Sequence, residues 1–145
     1  MTIAAVDFGK KRIGLAVSDA SGIGAYPLCT IERRSNRLDF AAIQRQLAGR
    51  EVARVVVGLP LTMDGSEGTT ALAARQFGIQ LGKYLGLPID FQDERLSSIE
   101  ADERLASASV RRGRRKAARD SMAAAVILEG WQEAHSQKSN TDSSA

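Results

Sequence analysis

Two apolar runs near the start of the chain are joined by a link too short to do anything but turn the chain back on itself. Ile3-Ala4-Ala5-Val6 leads into Asp7 and Phe8, Gly9-Lys10-Lys11 follows, and residues 12–18 then alternate, with Ile13, Leu15 and Val17 on one face. A continuous apolar run reads as a strand covered on both faces, and an alternating run as its antiparallel neighbour. A short link that starts with Gly closes such a pair as a hairpin. This pair constrains everything after it, because a hairpin with a buried first strand needs both further strands and helices to cover it.

The rest of the sequence supplies them. Residues 25–31 predict a third strand, confined to an edge or an end by Pro27. After a polar turn over 35–37, the spacing of Phe40, Ile43 and Leu47 predicts a short helix over 38–47. Val55-Val56-Val57 is the centre of a buried strand over 54–58, stopped by Pro60, and Asp64-Gly65-Ser66 reads as a turn. Ala74, Phe77, Gly78, Leu81 and Leu85 recur at helical spacing before Gly86-Leu87-Pro88 closes the helix. Ile89 and Phe91 mark a short strand ending at Gln92 or Asp93, and a helix over 97–105 follows, capped by Ser97 or Ser98. A basic loop and a helix over 117–131 complete the pattern. From His135 onward the residues are almost all polar, which predicts a disordered tail. The expected architecture is α/β: a mixed five-stranded sheet, three antiparallel strands then alternating α/β units, flanked by helices. The expected organisation is one domain over 1–134 and a tail over 135–145, since 145 residues suffice for a single core.

Composition narrows the setting. Cys29 is the sole cysteine, so no internal disulfide exists, and a small, reduced core residue fits a cytoplasmic protein. No stretch approaches the ~20 apolar residues of a membrane span and no leader pattern opens the chain, so neither membrane nor export is expected. The formal charge is only +3, but Arg111, Arg112, Arg114, Arg115, Lys116 and Arg119 follow one another with no acid among them. Such a block attracts polyanions, nucleic acid above all; its alternative is a solvated loop without a partner.

Three carboxylates stand where stability alone does not call for them. Asp7 ends an apolar strand, where a charge costs several kcal/mol unless it is paired or bound to a cation. Asp93 and Glu94 follow the strand at 89–92, at the kind of carboxyl-end position where sites of open α/β sheets gather. Alternation puts Glu94 with Asp90 and Gln92, yet alternation need not persist past a strand end, so spacing leaves both acids open. Asp120 precedes Ala124, Ile127, Leu128 and Trp131 on a single helix face, which aims it at the sheet; an acid that merely starts a helix is the other reading. Hard cations such as Mg²⁺ want oxygen ligands, and two of them about 4 Å apart serve in-line phosphoryl displacement.

Four segments taken together resemble one family. Val6-Asp7-Phe8-Gly9-Lys10-Lys11-Arg12-Ile13-Gly14-Leu15-Ala16-Val17-Ser18-Asp19 is similar to the opening motif of the YqgF family. Residues 57–68 resemble its second motif, Asp93-Glu94-Arg95-Leu96-Ser97 its third, and Asp120-Ser121-Met122-Ala123-Ala124 with Ile127-Leu128-Glu129 its fourth. Thr62 departs from the Asn frequent there. The resemblance implies an RNase H-like fold and a nuclease hydrolysing phosphodiesters with Mg²⁺ or Mn²⁺ in a two-metal site. It carries the metal-binding and catalytic roles to Asp7, Glu94 and Asp120, which selects Glu94 over Asp93. The implied task is processing the 5′ end of pre-16S rRNA in ribosome biogenesis. The alternatives are resolution of four-way DNA junctions, or a non-catalytic nucleic-acid-binding assembly factor. Lys10, Lys11, Arg12 and Arg95 are candidates for holding phosphate near the acids, and Arg111, Arg112, Arg114, Arg115 and Lys116 for tracking the backbone further away. Pre-rRNA is the favoured partner, with branched DNA second, and the chain is expected to act as a monomer or a weak homodimer. Asp-x-Gly before a hairpin also opens actin-like ATPases, but those need two such domains around the nucleotide.

Overall fold

The computed structural model describes residues 1–61, 64–94, 101, 103–106 and 112–143, and the side chains within these except those of 112–117 and 137–143. Strands β1 (Thr2–Phe8), β2 (Arg12–Val17), β3 (Tyr26–Glu32), β4 (Val52–Leu59) and β5 (Ile89–Asp93) form one sheet in the order β3-β2-β1-β4-β5. The first three are antiparallel neighbours, while β1, β4 and β5 run parallel. Helices α1 (Asn36–Leu47) and α2 (Thr69–Leu85) cover one face, and α3 (Arg112–Ser143) covers the other. The expected mixed five-stranded sheet is therefore present.

Local chemistry explains the boundaries. The Gly9 N–H donates to the Arg12 carbonyl at 2.9 Å and closes the β1–β2 hairpin. Pro27 lies on the edge strand opposite Ala16, where the ladder slips register and a missing N–H costs nothing. Helix α1 starts earlier than expected, at Asn36, because the Ser35 hydroxyl accepts from the Leu38 N–H at 3.3 Å and caps the first turn. Helix α2 ends at Gly86, whose φ of 69° suits a residue without a Cβ.

Two expectations at the far end of the chain meet a different backbone. The segment expected as a basic loop is helical from Arg112 onward, and α3 continues through Ser143, across residues 135–143 of the expected tail. Arg, Lys and Ala are good helix formers, so the basic block extends the helix it precedes. Arg111, Arg95, Thr62, Ser97 and Ser98 lie outside the described residues, and of the helix expected over 97–105 the described residues 101 and 103–105 are helical.

The two faces of the sheet are packed differently. Val6, Ile13, Leu15, Val55 and Val57 meet Phe40, Ile43, Phe77 and Leu81 of α1 and α2. Each of these large side chains is worth about 1.5–3 kcal/mol on full burial. Cys29 packs against this core, and burial raises its thiol pKa. The α3 face is lined by smaller residues: Ala5, Ala16 and Val56 meet Ala124, Ala125, Ile127 and Leu128. The expected apolar stripe of α3 thus faces the sheet, and the small residues let the helix come close. A Cβ on Gly14 would stand 1.9 Å from the Asp120 carbonyl oxygen, so the backbone of α3 rests directly on β2 at that point.

Gly14→Ala therefore has to lift the start of α3, at about 3 kcal/mol, or roughly 10 °C in Tm. Gly49, with φ 82° and nothing within 4 Å of an added Cβ, is the comparison site; Ala there costs only about 1–2 kcal/mol of backbone strain. Thermal melts should show the larger Tm loss in Gly14→Ala, and equal losses would show that the Gly14 contact is not tight.

Candidate active site

Strand geometry brings the three acids to one place. Asp7 pairs with Gly14 across the β1–β2 ladder and alternates with Ala5, so its side chain points to the α3 face. Because β1, β4 and β5 are parallel, their carboxyl ends lie along the same edge, and Glu94 follows the last residue of β5 there. The Glu94 N–H donates to the Leu59 carbonyl at 3.1 Å, which carries the β4–β5 pairing one residue beyond the strand. Alternation consequently persists: Asp90 accepts from Trp131 Nε1 of α3 at 2.9 Å, and Gln92 lies against Gly130, on the same face as Glu94. A Cβ on Gly58 would stand 3.0 Å from Glu94 Cγ and Cδ, so this glycine of β4 is the floor on which the Glu94 side chain lies. Asp120 arrives from α3 at the level of Gly14.

The electrostatics follow from this convergence. Burial pushes the Asp7 carboxyl up from its ordinary 3.8 to about 6; a hydrogen bond with Glu94 opposes the rise, the Asp120 charge adds to it, and Arg119 opposes it. A hydrogen bond between two carboxyl groups requires a proton on one of them. Asp120 is held differently, its Oδ2 accepting from Arg12 Nε at 2.8 Å. The three acids are neighbours, but they are not a ready-made cage: among the described residues no group of three acid, His or Cys side chains is arranged as a cation site. Their chemistry still fits a hard divalent ion. All donors are oxygens, and the burial and the Asp120 charge that push the Asp7 carboxyl up are both offset by added positive charge.

The basic residues divide into three groups. Arg12 sits beside the acids as a counter-ion of Asp120. Lys10 and Lys11 are exposed at the hairpin tip, next to the carboxyl end of β1. Arg112, Arg114, Arg115 and Lys116 lie on the first turns of α3, ahead of Asp120. Residues that the sequence reading missed are Gly14 and Gly58, whose signal was a glycine inside each strand, and Arg119, which acts on Asp7. His135 lies well along α3 from Asp120, its ring stacked on Trp131 with centroids 4.0 Å apart, and takes no part in the site.

A mixed sheet with this strand order, one long helix across the site face and acids at the parallel carboxyl ends defines an RNase H-like domain. Thermus thermophilus RuvC, solved with a Holliday junction substrate, superposes with a TM-score of 0.53 over 88% of this chain and 90% of that one; at 16% identity the likeness speaks for the fold. Sequence comparison is more specific. The chain belongs to the RuvX family, described as Holliday junction resolvases, whose sequence profile matches residues 1–134. Two relatives carry the provisional name pre-16S rRNA nuclease. The one from Myxococcus xanthus (strain DK1622) is 45% identical over 130 residues, 90% of this chain and 86% of its own. The one from Anaeromyxobacter dehalogenans (strain 2CP-C) is 48% identical over 126 residues, 87% and 92% of the two chains. The family expected from the four motifs is thus the family found.

The raised Asp7 carboxyl has a consequence for stability. Between pH 3.8 and about 6 the folded protein retains a proton that the unfolded chain has lost, so this group's contribution declines as pH rises through that window. Without metal, ionised Asp7 costs on the order of 1–3 kcal/mol at neutral pH. Asp7→Asn, melted in chelator, should exceed wild type in Tm at pH 7.5, with the gain shrinking towards pH 4. A gain independent of pH would contradict this origin.

Proposed function

We propose that this protein is a divalent-metal-dependent endonuclease that hydrolyses phosphodiester bonds of structured RNA, leaving a 5′-phosphate and a 3′-hydroxyl. The supporting observation is the meeting of Asp7, Glu94 and Asp120 from β1, the end of β5 and α3 in one partly buried place. Asp7, Glu94 and Asp120 are the residues that would hold the ions, with Asp7 the most buried of the ligands. Bound there, Mg²⁺ or Mn²⁺ supplies Lewis acidity at the attacking and leaving oxygens of an in-line displacement. The chain's own residues do the rest. Gly58 leaves room for Glu94 and Gly14 sets the height of Asp120. The hairpin lysines Lys10 and Lys11, with Arg95, hold phosphate beside the acids. Arg111, Arg112, Arg114, Arg115 and Lys116 follow the strand outward.

The start of α3 supports a polyanionic partner independently of the acids. Its first turn carries basic residues and no acid, at the end where the helix dipole already favours negative charge. Such an end is relieved by phosphate groups from outside the chain.

The 5′ end of pre-16S rRNA is the favoured substrate, in keeping with the name of the relatives, and it places the work in the cytoplasm. Among the described residues no helix is long and apolar enough to cross a membrane. Among the described residues the large exposed apolar side chains, Met1, Ile23, Tyr26, Leu38, Leu72, Ile79 and Tyr84, lie on the N-terminus, the loop before β3, β3, α1 and α2, and the reading favoured is a monomer or weak dimer able to cut an RNA end. A four-way DNA junction is the second reading, favoured by the family's description; it asks for two sites in a symmetric dimer.

The test is cleavage of a structured precursor rRNA beside a four-way junction, with Mg²⁺, Mn²⁺ or chelator, in wild type and Asp7→Asn. Wild type should cut the RNA only with metal, and Asp7→Asn should lose roughly 10³-fold in rate while binding RNA at least as tightly. Preferred cutting of the junction selects the second reading, and cleavage unaffected by chelator or by Asp7→Asn removes both.

A further inference from the structure

Arg12 was expected to hold phosphate, but its guanidinium is already engaged with one of the acids. The two residues are 108 positions apart in the chain and meet at 2.8 Å, Arg12 Nε to Asp120 Oδ2, with side chains 35% and 21% exposed. Both partners are fixed from behind. The Arg12 carbonyl accepts the Gly9 N–H that closes the hairpin, and the Arg12 backbone pairs with Glu32 on the outer strand. The Asp120 backbone is seated on Gly14. The pair is therefore built by the fold rather than by two loose surface chains. It also stands at the rim, because Arg12 shares the α3 face with Gly14 and lies one pleat further out than Asp7.

Such a pair competes with a cation for the charge of the same carboxylate. An Asp that gives an oxygen to a divalent ion has less charge left for a guanidinium, and the ion repels a guanidinium held this close. Resting on the nuclease reading above, we propose that Arg12 is a latch: it holds Asp120 in place while the site lacks metal, and metal binding displaces its guanidinium from Asp120 and frees it for a substrate phosphate. Arg12 is then a positioning residue in the free protein and a phosphate ligand in the loaded one. Planar, multiply donating and permanently charged, guanidinium suits both partners. Because one group serves the two in turn, metal and nucleic acid strengthen each other's binding. Lys10 and Lys11 are exposed at the hairpin tip.

The experiment measures Mn²⁺ binding by calorimetry on the full chain without nucleic acid, in wild type, Arg12→Gln, Arg12→Lys and the double variant Arg12→Gln/Asp120→Asn. Cleavage kinetics are measured alongside. Loss of the competing guanidinium should tighten Mn²⁺ binding about three- to tenfold in Arg12→Gln, while KM for the nucleic acid rises. Arg12→Lys, which keeps the charge but not the fork, should fall between, and the double variant should lose the gain because Asp120 no longer supplies the ligand. Mn²⁺ binding in Arg12→Gln that is unchanged or weaker overturns the latch, even where wild type binds metal and cleaves. Wild type that binds no Mn²⁺ overturns the nuclease reading and the latch together. Since binding is read on folded protein, with melting curves as the control, a variant that does not fold is replaced by Arg12→Lys, for which the same ordering is required.

Discussion

A carboxylate placed between a sheet and a helix is the interaction on which the rest of this molecule turns. Asp7 sits at the end of a strand whose neighbours are almost fully buried, and its carboxyl is pushed well above the ordinary range because burial and a second acid both oppose its charge. Folding tolerates the arrangement through a hydrogen bond with Glu94 and the charge of Arg119, both of which favour the ionised carboxyl. That is a compromise whose electrostatic cost added positive charge would offset. The small residues around it, Gly14, Ala16 and Gly58, make sense in the same frame: they give up packing volume so that α3 and Glu94 can crowd one point.

Topology makes the convergence possible. Parallel β1, β4 and β5 deliver their carboxyl ends to one edge, and α3 crosses their face so that Asp120 lies near that edge while Trp131 reaches Asp90 at 2.9 Å further down. Acids from positions 7, 94 and 120 then meet although no local interaction relates them. Arg12 belongs to the same construction, since the hairpin that carries Asp7 also carries the cation opposing Asp120.

Much of this was legible in the sequence, for definite reasons. The hairpin was readable because a link as short as Gly9-Lys10-Lys11 leaves no alternative, and the inward face of α3 because Ala124, Ile127, Leu128 and Trp131 obey one helical period. Asp7 stood out because the residues before it are apolar. The choice between Asp93 and Glu94 was not legible from spacing. It depends on whether pairing continues past β5, and the bond from Glu94 N–H to the Leu59 carbonyl that continues it is a tertiary fact. The start of α3 was obscured by its own charge: a run of Arg and Lys reads as a solvated loop until the helix behind it is known to extend. The partner of Arg12 was hidden for the plainest reason, a separation of 108 residues.

The most direct measurement is a crystal structure of the protein grown with Mn²⁺, with the ions located by anomalous scattering. The account predicts two peaks about 4 Å apart between Asp7, Glu94 and Asp120, with Asp7 touching both and the Arg12 guanidinium withdrawn from Asp120. Absence of any peak at saturating Mn²⁺, with Arg12 still on Asp120 and Glu94 still hydrogen-bonded to Asp7, would contradict it.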